Sequence, residues 1–185
     1  VVDDVECGVD ARVQVHAFGD SLARSSGALR GQRSARRLFD FLENLNPDGR
    51  TSLAAACRAL VQTRSFGRGV AVVISDFLDP AGYEEGLRLL IGHKLDVHAV
   101  QLLAPDELDP PLTGDLRLVD AEDGSVQEIT VSQPLLAQYR ATVGAFREGL
   151  RDFCVRRGAG YAFSSTATPF DQLVLSYLRE SGLFK

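Results

Sequence analysis

The stretch Val70-Ala71-Val72-Val73-Ile74-Ser75-Asp76-Phe77-Leu78-Asp79-Pro80 decides the fold class. Its uninterrupted apolar run, rich in β-branched residues and stopping at Ser75 and Asp76, is how a strand buried on both faces of a parallel sheet reads. A strand of that kind is expected at the centre of its sheet. Open α/β sheets bind ligands in the crevice beyond the carboxyl ends of their strands, which makes Asp76 the first candidate for function.

Working outward, Val13, Val15 and Ala17 alternate with polar residues over 11–18, the period-two pattern of a strand. A short edge strand is expected near 28–30. A helix from about Ser34 carries Leu38, Phe41, Leu42 and Leu45 on one face, and Asn46-Pro47-Asp48-Gly49 stops it. Thr51 and Ser52 are placed to cap a second helix with the stripe Leu53, Ala56, Cys57, Leu60 and Val61. After the run at 70–75, Asp79-Pro80 reads as an N-cap and first-turn proline of a helix over 81–93. A nearly continuous apolar strand covers 96–103, and a Pro- and Asp-rich loop covers 104–112. Segments 116–121 and 126–131 form a hairpin around Asp123-Gly124. A long helix opens at Ser132-Gln133-Pro134 and closes at Gly158 and Gly160. A last strand spans 161–165, and Thr168-Pro169 opens a final helix with Leu173, Val174, Tyr177 and Leu178 inward.

Strands alternating with helices predict an α/β fold, a doubly wound and mostly parallel sheet with helices on both faces, plus an inserted β-hairpin at about 115–131. At 185 residues, with no repeat or long linker, 1–185 is expected to form a single domain.

Composition narrows the function classes. Apolar residues make up 45% and charged residues 24% of the chain, as in a soluble globular protein. The formal net charge of -5 offers no basic field for nucleic acid or an anionic membrane. No apolar run approaches the roughly 20 residues of a spanning helix, and the amino-terminal residues lack signal-peptide character. Cys7, Cys57 and Cys154 have neither a disulfide framework nor a zinc spacing. They read as reduced cytoplasmic thiols, Cys57 and Cys154 lying on apolar helix stripes.

The pair that matters most is Thr51 and Asp76, each at the expected ligand-binding edge of the sheet. A hydroxyl and a carboxylate there could share a hard cation such as Mg²⁺. The plainer reading makes Thr51 a helix cap and Asp76 an acceptor for loop N–H groups. His16, His93 and His98 are unclustered, and the sequence contains no nucleophile elbow and no Walker loop. Asp106, Glu107, Asp109, Asp115, Asp120, Glu122 and Asp123 make the loop and hairpin acidic, most simply a solvated face.

Residues 72–80, 101–110, 114–124, 156–161 and 168–175 resemble the domain of unknown function 58 family, and the likeness runs from about residue 11 onward. That family is similar to von Willebrand factor A domains and is often associated with MoxR-type AAA+ ATPases. The resemblance implies a von Willebrand factor A-like fold whose metal-ion-dependent adhesion site would include Thr51 and Asp76, with Ser75 a neighbour. The Asp-x-Ser-x-Ser element of such sites is not present, so the resemblance implies a chain lacking its first strand and an incomplete site with weak Mg²⁺ affinity. Three outcomes are then expected for the gap: pairing of the flanking strands at 11–18 and 70–75, filling by residues 1–9, or a strand from another chain. The functional expectation is a non-enzymatic protein-interaction module in the cytoplasm, with a MoxR-type ATPase as partner. The competing expectation is a small metal-assisted hydrolase using Asp76 and Asp79.

Overall fold

The computed structural model describes residues 12–20, 22–31, 34–46, 51–63, 69–119, 124–169 and 171–172. In chain order the elements are β1 (Arg12–Val13), β2 (His16–Phe18), β3 (Leu22–Ser25), β4 (Leu29–Arg30), α1 (Ala35–Glu43), α2 (Leu53–Thr63) and β5 (Gly69–Ser75). There follow α3 (Glu84–Gly92), β6 (Leu95–Leu103), α4 (Pro105–Leu108), β7 (Gly114–Val119), β8 (Val126–Val131), α5 (Gln133–Val155) and β9 (Gly160–Ser165).

The organising unit is a mixed α/β arrangement around a three-stranded parallel sheet of order β5-β6-β9. The middle strand is β6, whose continuous apolar run reads correctly as interior. Val97, Ala99, Gln101 and Leu103 are buried on one face of it. Register sets Val73 beside Ala99 and Ala99 beside Tyr161 on that face. Leu53 and Cys57 of α2, Leu87 and Leu90 of α3, and Leu150, Phe153 and Cys154 of α5 pack there into one cluster with Val73, Val97 and Ala99. Tyr83 meets Phe77, Phe146 and Phe153 edge-on at 6.3, 5.8 and 5.5 Å between ring centres, a geometry aromatic quadrupoles favour.

The expectation that 70–75 is a central strand buried on both faces is corrected. Among the described residues β5 pairs only with β6, and Val70, Val72 and Ile74 are 65%, 56% and 57% exposed. Helices α2, α3 and α5 cover the opposite face. Helices on both faces are therefore not seen among the described residues, and the final helix, with Leu173, Val174, Tyr177 and Leu178, lies almost wholly outside them.

The segment 11–18 alternates as expected but does not join this sheet. β1 pairs antiparallel with β4, and β2 pairs antiparallel with β3 through an irregularity at Ala17 and Phe18. Pairing of the flanking strands across the gap does not occur among the described residues. Residues 1–9 lie outside them. In α1 the predicted stripe is only partly covered: Leu38, Phe41 and Leu45 are half-buried and Leu42 is exposed. α3 begins at Glu84 and not at Ala81, because Asp79 to Gly82 closes a turn, Gly82 N donating to the Asp79 carbonyl at 2.8 Å. Gly82 sits at φ 83°, a left-handed conformation that a helix cannot include. The hairpin β7–β8 runs in register from Gly114↔Val131 to Val119↔Val126, and the helix after it is N-capped by Ser132.

Burial pushes the Cys57 thiol up to about 12 and the Cys154 thiol up to about 11. An unfolded thiol ionises near 9.0, so the unfolded chain loses protons first and stability should be full below that pH. It should fall as pH rises from about 9 toward the folded values. Urea midpoints measured at rising pH check this, and Cys57→Ala should flatten the alkaline slope. A native chain at neutral pH should leave both thiols unreactive toward a disulfide reagent until denaturant is added.

Candidate functional site

The carboxyl end of β5 bends through three side-chain-supported turns. Ser75 Oγ accepts from Phe77 N at 3.0 Å, and Asp76 Oδ1 accepts from Leu78 N at 3.0 Å and from the Ser75 hydroxyl at 3.3 Å. Phe77 takes φ 63° although it is not glycine, and its ring is 1% exposed within the core. A bulky residue in that region is strained and persists only where its surroundings hold it. The buried ring supplies one hold. Gln101 supplies another, its Nε2 donating to the Asp76 carbonyl at 3.0 Å. Gln101 Oε1 in turn accepts from the Tyr161 hydroxyl at 2.9 Å, so β9, β6 and the end of β5 are tied by one polar relay. Burial raises the Tyr161 pKa above that of an ordinary phenol, with the nearby Arg147 pulling the other way. Arg147 lies over the Phe163 ring at 3.5 Å. The net result is an exposed Asp76 side chain on a rigid base.

Asp79 has a different task. Its Oδ2 accepts from Leu53 N at 2.8 Å and its Oδ1 from Ala81 N at 2.8 Å. One carboxylate thus closes its own turn and satisfies the first N–H of α2, where negative charge also suits the helix dipole. Asp79 was expected to cap the helix after it; it serves the one before it. Ser52 Oγ accepts from Ala55 N at 3.3 Å, and Ser52 N donates to the Gly19 carbonyl at 2.7 Å. Thr51, half-buried, immediately precedes this junction. The Asp79–Leu53 contact sets the start of α2, which Thr51 precedes, beside the loop after β5 that carries Asp76.

What this edge offers a cation is limited. Both oxygens of Asp79 are committed, and Asp76 retains Oδ2 free of hydrogen bonds among the described residues. A single carboxylate oxygen and the Thr51 hydroxyl fall short of the set a divalent ion takes from protein alone. Among the described residues no three His, Cys, Asp or Glu side chains gather as a metal site would require.

The acidic loop is partly spent as well. Glu107 Oε2 accepts from Ala104 N at 2.6 Å, Tyr139 donates to the Glu107 carbonyl at 2.7 Å, and Arg140 pairs with Asp109 at 2.8 Å. Asp115 accepts from the Thr130 hydroxyl at 2.6 Å across the hairpin. Asp120, Glu122 and Asp123 lie outside the described residues. A shallow depression on the hairpin is lined by Asp115, Leu116, Arg117, Glu128, Ile129 and Thr130, and Asp76 is not part of it.

Gln101 and Tyr161 were missed by sequence reasoning. The available signal was parity: Gln101 shares its strand face with Val97, Ala99 and Leu103, and a polar residue on a buried face must find partners.

Comparison with known proteins places these observations. The sequence profile of a family described as "Protein of unknown function DUF58" matches residues 6–148. An uncharacterized protein of Mycobacterium tuberculosis is 35% identical over 124 residues, covering 67% of this chain and 38% of that protein. One of Mycobacterium avium is 36% identical over 98 residues, covering 53% of this chain and 57% of its own length. The chain thus spans well under two thirds of these relatives. Among solved structures, the conserved hypothetical protein BatB from Bacteroides thetaiotaomicron superposes with a TM-score of 0.50 at 15% identity, covering 93% of this chain and 78% of that one. That likeness concerns the fold. Among the described residues no helix is long and apolar enough to cross a membrane.

Proposed function

We propose that this chain, which belongs to the DUF58 family, is a non-enzymatic protein-interaction module of the von Willebrand factor A-like type that docks a protein partner on the carboxyl edge of its parallel sheet. The carrying observation is the division of labour between two carboxylates. Asp79 is consumed by backbone N–H groups of Leu53 and Ala81, while Asp76 is held outward and exposed on a turn fixed by Gln101 and the buried Phe77 ring. A preorganised, exposed charge at a strand end suits recognition. It suits hydrolysis less well, since Asp79 is unavailable as a second catalytic carboxylate. The partner in this reading is a MoxR-type AAA+ ATPase in the cytoplasm, a compartment in keeping with the free buried thiols of Cys57 and Cys154. Any Mg²⁺ at Thr51 and Asp76 would be bound weakly or be completed by a carboxylate of the partner.

Immobilised chain and the purified ATPase encoded by the same genome should bind, and Asp76→Ala should weaken binding by about tenfold or more with unchanged circular dichroism. Equal affinity for the variant would sink the role given to Asp76. Metal-dependent phosphoester turnover that Asp76→Ala abolishes would overturn the module reading in favour of a hydrolase.

A further inference from the structure

Asp76 does not stand alone on the carboxyl edge. The segments that follow β5, β6 and β9, at 76–83, 104–113 and 166–169, contain Asp76, Asp79, Asp106, Glu107 and Asp109 and neither lysine nor arginine. Asp79 is committed to Leu53 N and Ala81 N, Glu107 to Ala104 N and Asp109 to Arg140. That leaves Asp76 Oδ2 and the exposed Asp106 as the charges open to a newcomer, so a charged group arriving here must be basic. Leu78 is the one large apolar side chain of these segments left exposed, at 50%. Its N–H donates to Asp76 Oδ1 at 3.0 Å. The preceding ring, Phe77, is anchored in the core, and the following carboxylate, Asp79, is fixed through both oxygens. One rigid turn therefore presents a charge and an isobutyl group side by side.

We infer that the partner segment is basic and apolar: its lysine or arginine pairs directly with Asp76 Oδ2, with no bridging metal, and an apolar side chain beside it seats against Leu78. This rests on the reading of the carboxyl edge as a docking surface and states the chemistry of what docks there. A partner carboxylate would need a cation between itself and Asp76. Asp76 has one oxygen to give and Asp79 none, short of what a divalent ion takes from protein. A single open oxygen does suit one charge-assisted hydrogen bond from an ammonium or guanidinium group. An exposed ion pair by itself contributes little, so Asp76 alone would make a poor dock. Covering Leu78 adds apolar burial and shields the adjacent pair from water, which strengthens it. Because the turn is already fixed, little backbone freedom is lost on binding.

A phage-displayed library of random peptides, panned against the immobilised chain with counter-selection on Asp76→Asn, tests this without assuming which protein is the partner. Asp76→Asn keeps an oxygen for Leu78 N, so the turn is retained and only the charge is lost. Enriched peptides should carry Lys or Arg beside an apolar residue, bind equally well in Mg²⁺ and in EDTA, and weaken as salt rises. Leu78→Ala should lower their affinity by about fivefold or more. Val155→Ala is the control: Val155 is 65% exposed but lies at the end of α5, just before β9 begins, at the opposite end of the sheet, and its loss should leave binding unchanged. All three variants alter exposed side chains and should keep wild-type circular dichroism. Acidic peptides whose binding requires Mg²⁺ and is lost in EDTA would overturn the inference. So would basic peptides indifferent to Leu78→Ala, or a library that yields no peptide sensitive to Asp76→Asn. The two readings fail separately. ATPase binding that ignores Asp76→Ala removes the docking site itself, whereas Mg²⁺-dependent acidic peptides remove only the chemistry assigned to its occupant.

Discussion

Gln101→Leu is expected to destabilise the chain by about 2–5 kcal/mol. The substitution conserves volume poorly enough to matter, but its main cost is electrical: it strips a hydrogen bond from the Asp76 carbonyl and another from the Tyr161 hydroxyl. Both bonds lie in part-buried surroundings, where each lost partner costs up to about 1–3 kcal/mol. Gln101 is fully buried, so water cannot take over its role without opening the core. Tyr161→Phe removes only the second of these bonds and should cost less. The double variant should cost less than the sum of the singles, because the hydroxyl that Gln101→Leu strands is then absent. Urea unfolding of the four chains checks this. If Gln101→Leu lay within about 0.5 kcal/mol of wild type, the relay would have no part in holding the turn. The same variant should weaken docking through Asp76 even where the chain remains folded, since the φ 63° conformation at Phe77 would lose one of its restraints.

Much of the fold was legible because periodicity reports local geometry faithfully. The run at 96–103 reads as an interior strand and lies within β6; Ser132, Gln133 and Pro134 read as a helix start and open α5. What escaped were relations between distant segments. Val70, Val72 and Ile74 are as apolar as Val97 and Ala99, yet they lie open. An apolar side chain records that something should cover it, and it does not record what does. The alternation at 11–18 is correct in period but silent about partner, and its two short strands pair locally with β3 and β4. Asp79 looks like the cap of the helix that follows because caps are usually local. Its carboxylate instead reaches back 26 residues to Leu53 N, a contact created by the packing of α2 beside the end of β5. At the site, residue type and position single out Thr51 and Asp76 as candidates, whereas the base that fixes Asp76 is not legible in the sequence. Gln101 and Tyr161 are 60 residues apart, and only the register of β6 with β9 brings them together.

Leu87→Ala should be among the most damaging single truncations, at about 2–5 kcal/mol. Leu87 is fully buried on α3, next to Gly86. A Cβ on Gly86 would stand 2.9 Å from Leu53 Cγ and 3.3 Å from Cys57 Sγ, so α2 and α3 approach closely at this point and neither backbone has slack to fill a void. A core that cannot collapse retains the cavity, which is the condition under which a lost isobutyl group costs most. Among the described residues α2, α3 and α5 share one face of a three-stranded sheet, and no second core layer is there to spread the loss. With total stabilities of about 5–15 kcal/mol for domains of this kind, the variant should show a large fall in urea midpoint with little change in slope. Phe39→Ala offers the internal control. The side chain is larger, but Phe39 is 61% exposed on α1, and the effect should stay within about 0.5 kcal/mol. Equal losses for the two variants would mean that α1 is seated against a core of its own, and the one-faced packing described for this sheet would have to be abandoned.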